Sequence, residues 1–329
     1  MTQVENTLLH DIEQNTLQDP SNAELIKTTA LELQKQGFLA AVHLCKRNVS
    51  LIKGRVLVQT SPSAAYNFQE TLDHARMYVS EFEKAGIPKN RYCIKIMATG
   101  PGLNAAKVLQ DEGISTLGTG VFSVAQAVAC SQAGCLYISP YYNEIRVHMN
   151  PSLWPDVQDP SLEHPFSHRI AQMVQAYKTL FAATGKEQPL IKNAGFRSYK
   201  EVLASAELGC HSATISQDLL EEFKTLTPGE ITRPATLKVA SLKSPYAGNV
   251  PIPSLRLGGL LTRHLDEGRG WSAKDLAVDL LADGGKALEK ALENDSEPAR
   301  MVKEALDMFI FCEEETKKLI KGAALVASL

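Results

Sequence analysis

The sequence contains no apolar run approaching the ~20 residues that would span a bilayer, no basic excess and no closely paired cysteines. The first lack argues against a helical membrane anchor. A net charge of −3, with lysines and arginines scattered, leaves no electrostatic footprint for nucleic acid. The six cysteines, at 45, 93, 130, 135, 210 and 312, show no CxxC spacing and fall mostly within apolar segments. They read as reduced, buried small hydrophobes. The opening residues are polar, without the basic-then-apolar plan of a secretory signal. The expectation is a cytoplasmic protein without membrane or nucleic-acid partners. No GxGxxG opens a helix, which removes the Rossmann reading. Thr99-Gly100-Pro101-Gly102 lacks the GK[ST] of a P-loop. His164 and His168 are four apart, but Pro165 breaks a shared helical face and no Glu or Cys completes a zinc site.

What is present is a repeating rhythm. Among 329 residues, 44% hydrophobic and 22% charged, strand-like runs alternate with amphipathic helices and glycine at intervals of roughly 20–30 residues. Strands are expected at 54–60, 92–99, 114–122, 135–143, 189–196 and 211–216. Helices are expected at 67–85, 103–112, 123–133, 167–183, 198–208 and 217–226. Six such units and a less regular N-terminal region predict an α/β fold, a (β/α)8 TIM-type barrel over 1–228. Residues 229–329 read as a C-terminal helical extension packed on the barrel, with helices at 273–281, 285–293 and 298–324 and no independent core, so that the whole is one domain.

Sites on parallel barrels lie at the C-terminal ends of the strands, and residues two apart share a face. Lys95, Met97 and Thr99 then share one face, as do Ser139, Tyr141 and Asn143, and Asn193, Gly195 and Arg197. Gln59 and Thr119 sit near strand ends. By the same parity Lys192 reads as exterior. Lys95 stands within Tyr92-Cys93-Ile94-Lys95-Ile96-Met97, where an ammonium is costly to desolvate. Burial lowers a lysine pKa and yields an amine that attacks carbonyls; a snorkelling or ion-paired lysine is the alternative. The rim as a whole suits a polyhydroxylated carbonyl compound.

The stretch IKIMATGPGLNAAKVLQDEGISTLGTGVFSVAQAVACSQAGCLYISPYYNEI resembles the central block of the transaldolase family, including its fructose-6-phosphate aldolase branch. It carries a KxxxTxxGxxAxxxLxxxGI unit followed by FSxAQAxxCxxAG and ISP(F/Y). The likeness extends back to GRVLVQTSPSAAYN and forward to NAGFRS, GCHSATISQDLLEEF and FIFCEEETKKLIKG. The resemblance implies a class I aldolase barrel, free of cofactor and metal, with Lys95 as the Schiff-base lysine. Gln59 stands where transaldolases carry a Glu that acts through a water, and Tyr141 where they carry Phe; both match the aldolase branch. Thr119 falls on the threonine that holds that water. Asn22, Ser139, Asn143 and Arg197 fall to substrate binding.

Other positions depart from the family. The second phosphate arginine is Glu144 here, with Arg146 nearby; the serine two residues before Arg197 is Gly195; and the strand-1 aspartate has no clear counterpart, Asp11 being a candidate. The implied activity is a Schiff-base aldolase or transaldolase acting on the dihydroxyacetone unit of a sugar or sugar phosphate. The alternatives are a true pentose-phosphate transaldolase, using sedoheptulose 7-phosphate and glyceraldehyde 3-phosphate, and a catalytically weakened sugar-binding barrel. A homo-oligomer, a dimer foremost, is expected.

Overall fold

Alternate side chains of each β-run enter one apolar layer, and that layer decides which face of the sheet is left for chemistry. A computed structural model of the chain describes residues 39–227, 244–247, 255–263 and 273–327. The order is α1 (Leu39–Val49), β1 (Val56–Gln59), α2 (Phe68–Lys84), β2 (Tyr92–Met97), α3 (Gly100–Asp111), β3 (Thr116–Val121), α4 (Val124–Gln132) and β4 (Tyr137–Pro140). Two short helices, α5 (Arg146–Met149) and α6 (Pro160–Glu163), precede α7 (Ser167–Thr184), β5 (Leu190–Asn193), α8 (Tyr199–Glu207), β6 (Ser212–Ala213) and α9 (Gln217–Thr225). The chain closes with α10 (Ala282–Glu293) and α11 (Ser296–Ala327).

The helices begin where short polar side chains satisfy otherwise unpaired N–H groups. Asn67, Thr99, Ser123, Ser198 and Ser216 each accept a backbone N–H of the first turn. Val56, Val58, Ile94, Ile96, Ile138 and Ile191 point from the sheet into the helices, meeting Leu72, Leu103, Leu109, Val128 and Val174. Each such large aliphatic side chain contributes about 1.5–3 kcal/mol on burial, so the register cannot slip by one without exposing the whole set.

The described strands form one parallel sheet in the order β1-β2-β3-β4-β5-β6. The sheet curls. Arg55, just before β1, donates from Nη1 to Tyr137 Oη on β4 at 3.4 Å, whereas a flat sheet would hold strands three apart at about 14 Å. This is an α/β architecture consistent with the TIM-type expectation, with six strands rather than eight among the described residues. Several strands are shorter than expected. β4 stops at Pro140, which has no N–H to donate, and Tyr141 continues only as a single bridge to Ala194. The expected helix at 273–281 is a short 3-10 turn, Ala273–Ala277. Asn22 and Asp11 lie outside the described residues. Among the described residues no helix is long and apolar enough to cross a membrane.

Helix α11 lies across the C-terminal ends of the central strands. Its Met301, Val302, Leu306 and Phe309 pack on Met97, Phe122 and Tyr141, and its Glu313 accepts hydrogen bonds from Ser61 Oγ and Ser63 Oγ, both 2.6 Å. A second tie joins α10 to α3. Glu289 Oε1 accepts the Gly100 N–H at 2.6 Å, and the backbones of Gly100 and Gly285 touch, so that a Cβ on Gly100 would collide with Gly285 O. Neither backbone has a flexible side chain to move aside. Gly100→Ala is therefore expected to lose about 2 kcal/mol or more in urea unfolding, whereas Gly54→Ala, with open space around it, is expected to lose less than about 1 kcal/mol.

Candidate active site

Because Ile94 and Ile96 enter the helical layer, Cys93, Lys95 and Met97 face the concave side. Lys95 is half-buried there. It stands in register with Gln59 on β1 and Leu117 on β3, which puts the Gln59 side chain beside it on the same face. One step higher a polar tier crosses the sheet: Met97 is in register with Thr119, and Thr119 with Ser139. Thr119 is fully buried, and among the described residues its Oγ1 has no hydrogen-bond partner. A buried hydroxyl left unpaired costs about 1–3 kcal/mol, so this orphan is a place for a water or a substrate oxygen. Tyr141 sits above the tier, its ring centroid 5.4 Å from Phe122 and 6.4 Å from Phe309 of α11. The structure thus brings Lys95, Gln59, Thr119, Ser139 and Tyr141 to one side of the sheet.

The side chain that fixes these strand ends went unnoticed in the sequence. Gln126, in the first turn of α4, is fully buried. Its Nε2 donates to Ala98 O and Gly120 O, each at 2.9 Å. Its Oε1 accepts from Phe122 N at 2.8 Å and Ser123 N at 3.2 Å. One amide thereby holds the ends of β2 and β3 together. The FSxAQ motif was the signal, but nothing in the spacing says that the glutamine points at the strands.

Asn143 and Arg197 sit in a different setting. The Asn143 amide donates to Gly195 O at 2.9 Å and Glu201 Oε2 at 2.8 Å, and its Oδ1 meets His164 Nε2 at 3.0 Å. Glu201, 1% exposed, also accepts from Trp154 Nε1 at 2.7 Å and from the Arg197 N–H at 2.6 Å. Burial raises its carboxyl pKa even though these donors oppose the rise. This network fixes the backbone of Arg197, whose Nε is buried without a hydrogen-bond partner among the described residues. Thr99 caps α3 and donates to Ala65 O, so it does not extend the face of Lys95 and Met97.

Gly195 explains its own departure from the family. Its φ is +76°, and a Cβ there would lie 3.2 Å from Tyr141 Cδ1. A serine would be strained by the left-handed backbone and pressed against that ring.

Two readings of the strand faces change. Asn193 donates to Ser205 Oγ of α8 at 3.1 Å, so it belongs to the helical side. Lys192 is interior. Its Nζ donates to Ser212 Oγ at 3.0 Å and lies 5.3 Å from the centroid of the Tyr137 ring. Glu144, in place of the second arginine, is engaged by Arg146 at 2.8 Å and Arg300 at 2.7 Å. Glu304 joins both arginines. Arg146 is thus drawn into a network that ties the β4 loop to α11, and the pairing lowers the Glu144 pKa against the effect of burial.

Comparison with known proteins finds relatives over most of the chain. The family model described as transaldolase/fructose-6-phosphate aldolase matches residues 9–244. A protein of Thermosynechococcus vestitus named transaldolase is 30% identical over 249 residues, 74% of this chain and 57% of that one. One of Methylococcus capsulatus with the same name is 30% identical over 257 residues, 76% of this chain and 75% of that one. A third, of Gloeobacter violaceus, is 31% identical over 185 residues, 56% of this chain and 45% of that one. The chain therefore spans about half the length of two of these relatives and three quarters of the other.

His164 supplies a pH test of the network beneath Arg197. Burial pushes its imidazole down to about 3. The neutral ring fits its partners: Nε2–H donates to Asn143, and Nδ1 accepts the Phe166 N–H at 3.2 Å. Below the ordinary histidine pKa of ~6.5, the unfolded chain takes a proton that the folded one refuses. Stability is then lost as pH falls from about 6.5 towards 3, by about 1.4 kcal/mol per pH unit for this group. Urea unfolding at successive pH values is expected to show a shallower loss in His164→Gln than in the unchanged protein.

Proposed function

The chain belongs to the transaldolase/fructose-6-phosphate aldolase family, and on that premise we propose that it is a Schiff-base aldolase that breaks or makes a C–C bond beside a dihydroxyacetone unit. The ring of eight strands belongs to the same proposal. The observation that carries it is the unpartnered Thr119 hydroxyl one tier above Lys95, with Gln59 beside the lysine. An amine and a hydroxyl that can hold a water on one inner face are the two parts this chemistry requires.

In the proposed cycle Lys95 Nζ adds to the C2 carbonyl of a ketose. The carbonyl oxygen leaves as water, and a C=N+ iminium forms that draws electrons from the C3–C4 bond. The C4 hydroxyl proton passes to a water held by Gln59 and Thr119, and the aldehyde departs. Gln59 positions that water but exchanges no proton at neutral pH, so the Tyr141 phenol relays it. The enamine left on Lys95 is protonated at C3 and hydrolysed to dihydroxyacetone, or attacks a second aldehyde. Ser139 lies on the tier beside Thr119 and binds the C1 hydroxyl. Arg197, held by Glu201, is the one family phosphate arginine retained, and it receives the phosphate end of the aldehyde fragment.

A transaldolase outcome is the second reading, favoured by the names of the relatives. It differs in the fate of the enamine, which would wait for an acceptor sugar phosphate instead of releasing dihydroxyacetone. An assay for free dihydroxyacetone from fructose 6-phosphate, with and without an acceptor aldehyde, separates the two: release without acceptor supports the aldolase.

Borohydride reduction with dihydroxyacetone is expected to leave a covalent adduct on Lys95, located by peptide mass mapping, and none in Lys95→Met. Absence of an adduct in the unchanged protein would instead support the sugar-binding barrel. Tyr141→Phe, which removes only an oxygen, is expected to keep the adduct but lower turnover about a hundredfold. An unchanged rate in that variant would remove the phenol from the relay.

A further inference from the structure

The proposed cycle needs the Thr119 hydroxyl and the Tyr141 phenol to meet one water, and β3 is irregular just beyond Thr119. Thr119 pairs with Ser139, but Val121 pairs with Pro140, so two steps along β3 answer one along β4. Gly120 is the extra residue of this bulge. Its φ of +67° suits glycine, and a Cβ there would collide with Met97 Cε. A bulge interrupts the ladder and leaves backbone groups in need of other partners.

Gln126 supplies those partners on both sides of the bulge. Its Nε2 donates to Gly120 O and, across to β2, to Ala98 O, each at 2.9 Å. Its Oε1 accepts from Phe122 N at 2.8 Å. Between these two anchored positions lies Val121, whose carbonyl accepts the Tyr141 N–H at 3.3 Å. Just before them, Thr119 O accepts the Ala98 N–H at 2.8 Å. One buried amide therefore grips the segment that carries Thr119 at its start and supports the Tyr141 backbone in its middle. Lys95 lies below this grip, where its own carbonyl accepts the Thr60 N–H at 3.0 Å. The side-chain amide of Gln126 bonds backbone groups and the Ser123 hydroxyl, none of which titrates.

We propose that Gln126 is a positioning residue for proton transfer: by clamping the Gly120 bulge it sets the Thr119 hydroxyl against the Tyr141 phenol. The inference rests on the Schiff-base reading of Lys95. Loss of the clamp slows the relay and leaves imine formation on Lys95 in place.

Two readings with dihydroxyacetone separate these steps. Borohydride trapping reports the Lys95 imine. Deuterium uptake from D2O into dihydroxyacetone reports the relay, because the iminium must lose a carbon-bound proton to it and regain one. Gln126→Met removes the amide, and Gln126→Glu keeps an acceptor but, when ionised, has no donor. Tyr177→Phe is the structural control: it loosens the same helix by removing the bond from Tyr177 Oη to Ala127 O and leaves the bulge alone.

Both Gln126 variants are expected to keep the adduct and to lose deuterium uptake about tenfold or more. Tyr177→Phe is expected to lower the urea midpoint and keep the uptake. Burial raises the pKa of the carboxyl in Gln126→Glu, and its acid form regains one donor. Uptake relative to the unchanged protein should therefore recover in Gln126→Glu as pD falls from about 8 to about 6, and stay level in Gln126→Met. Unaltered uptake in Gln126→Met, adduct and uptake lost in step, an equal loss in Tyr177→Phe, or no recovery in Gln126→Glu overturns the inference and leaves the aldolase reading standing. So does an adduct without uptake in the unchanged protein. If neither Gln126 variant folds, Ser123→Ala decides, since Ser123 Oγ seats Gln126 by accepting its N–H at 3.1 Å: lost uptake with the adduct kept supports the inference, and unaltered uptake overturns it. No adduct in the unchanged protein overturns both.

Discussion

The alternation of β2 is the constraint on which the rest depends. Ile94 and Ile96 are buried against the helices, and a strand that sends these two outward has to send Lys95 and Met97 inward. The cost of the reverse arrangement is the exposure of two isoleucines together with a lysine placed among Leu103 and Leu109. The hydrophobic effect on one face therefore positions an amine on the other, and no specific interaction of the lysine is needed to aim it. The same rule, applied at the matching step of β1 and β3, brings Gln59 beside Lys95 and Thr119 into the next tier.

Aim alone does not hold strand ends still, because the last residues of a parallel strand lose their ladder partners. Two buried side chains supply the missing bonds. Gln126 closes the ends of β2 and β3 by donating to Ala98 O and Gly120 O, and Glu201 gathers Asn143, Trp154 and the Arg197 backbone. Both stand in the first turn of a helix that follows a strand, where the backbone N–H groups are close by and available. Each is engaged by several partners, which offsets much of the cost of burying such groups. Asn143 belongs to this supporting set: both of its amide N–H groups are engaged in holding the β4 and β5 loops together.

The order of elements was legible because glycine and capping residues punctuate an apolar pattern of two clear periods, and parity put Lys95 with Met97 on one face of β2, though not Thr99, which caps α3. Parity failed on β5. The faces there were counted back from Arg197 through Gly195, but Gly195 has a left-handed φ and interrupts the alternation. Counted instead from Ile191, which is buried in the helical layer, Lys192 falls inside and Asn193 outside. Glu201 could have been anticipated from Ser198, three residues earlier, as the far end of a capping pattern; its hold on Asn143 and Trp154 could not, since those contacts join residues more than forty apart in the chain. The ties between Glu144 and α11 were hidden for the same reason.

Those ties set the charge at one edge of the candidate site. A carboxylate at position 144 is unfavourable next to a phosphate, but here it is the centre of a pairing with Arg146 and Arg300 in which Glu304 also takes part. Two cations and two carboxylates leave no net charge at that edge of the site. Positive charge lies instead on Arg197 at the rim and on Lys192 and Arg55 inside.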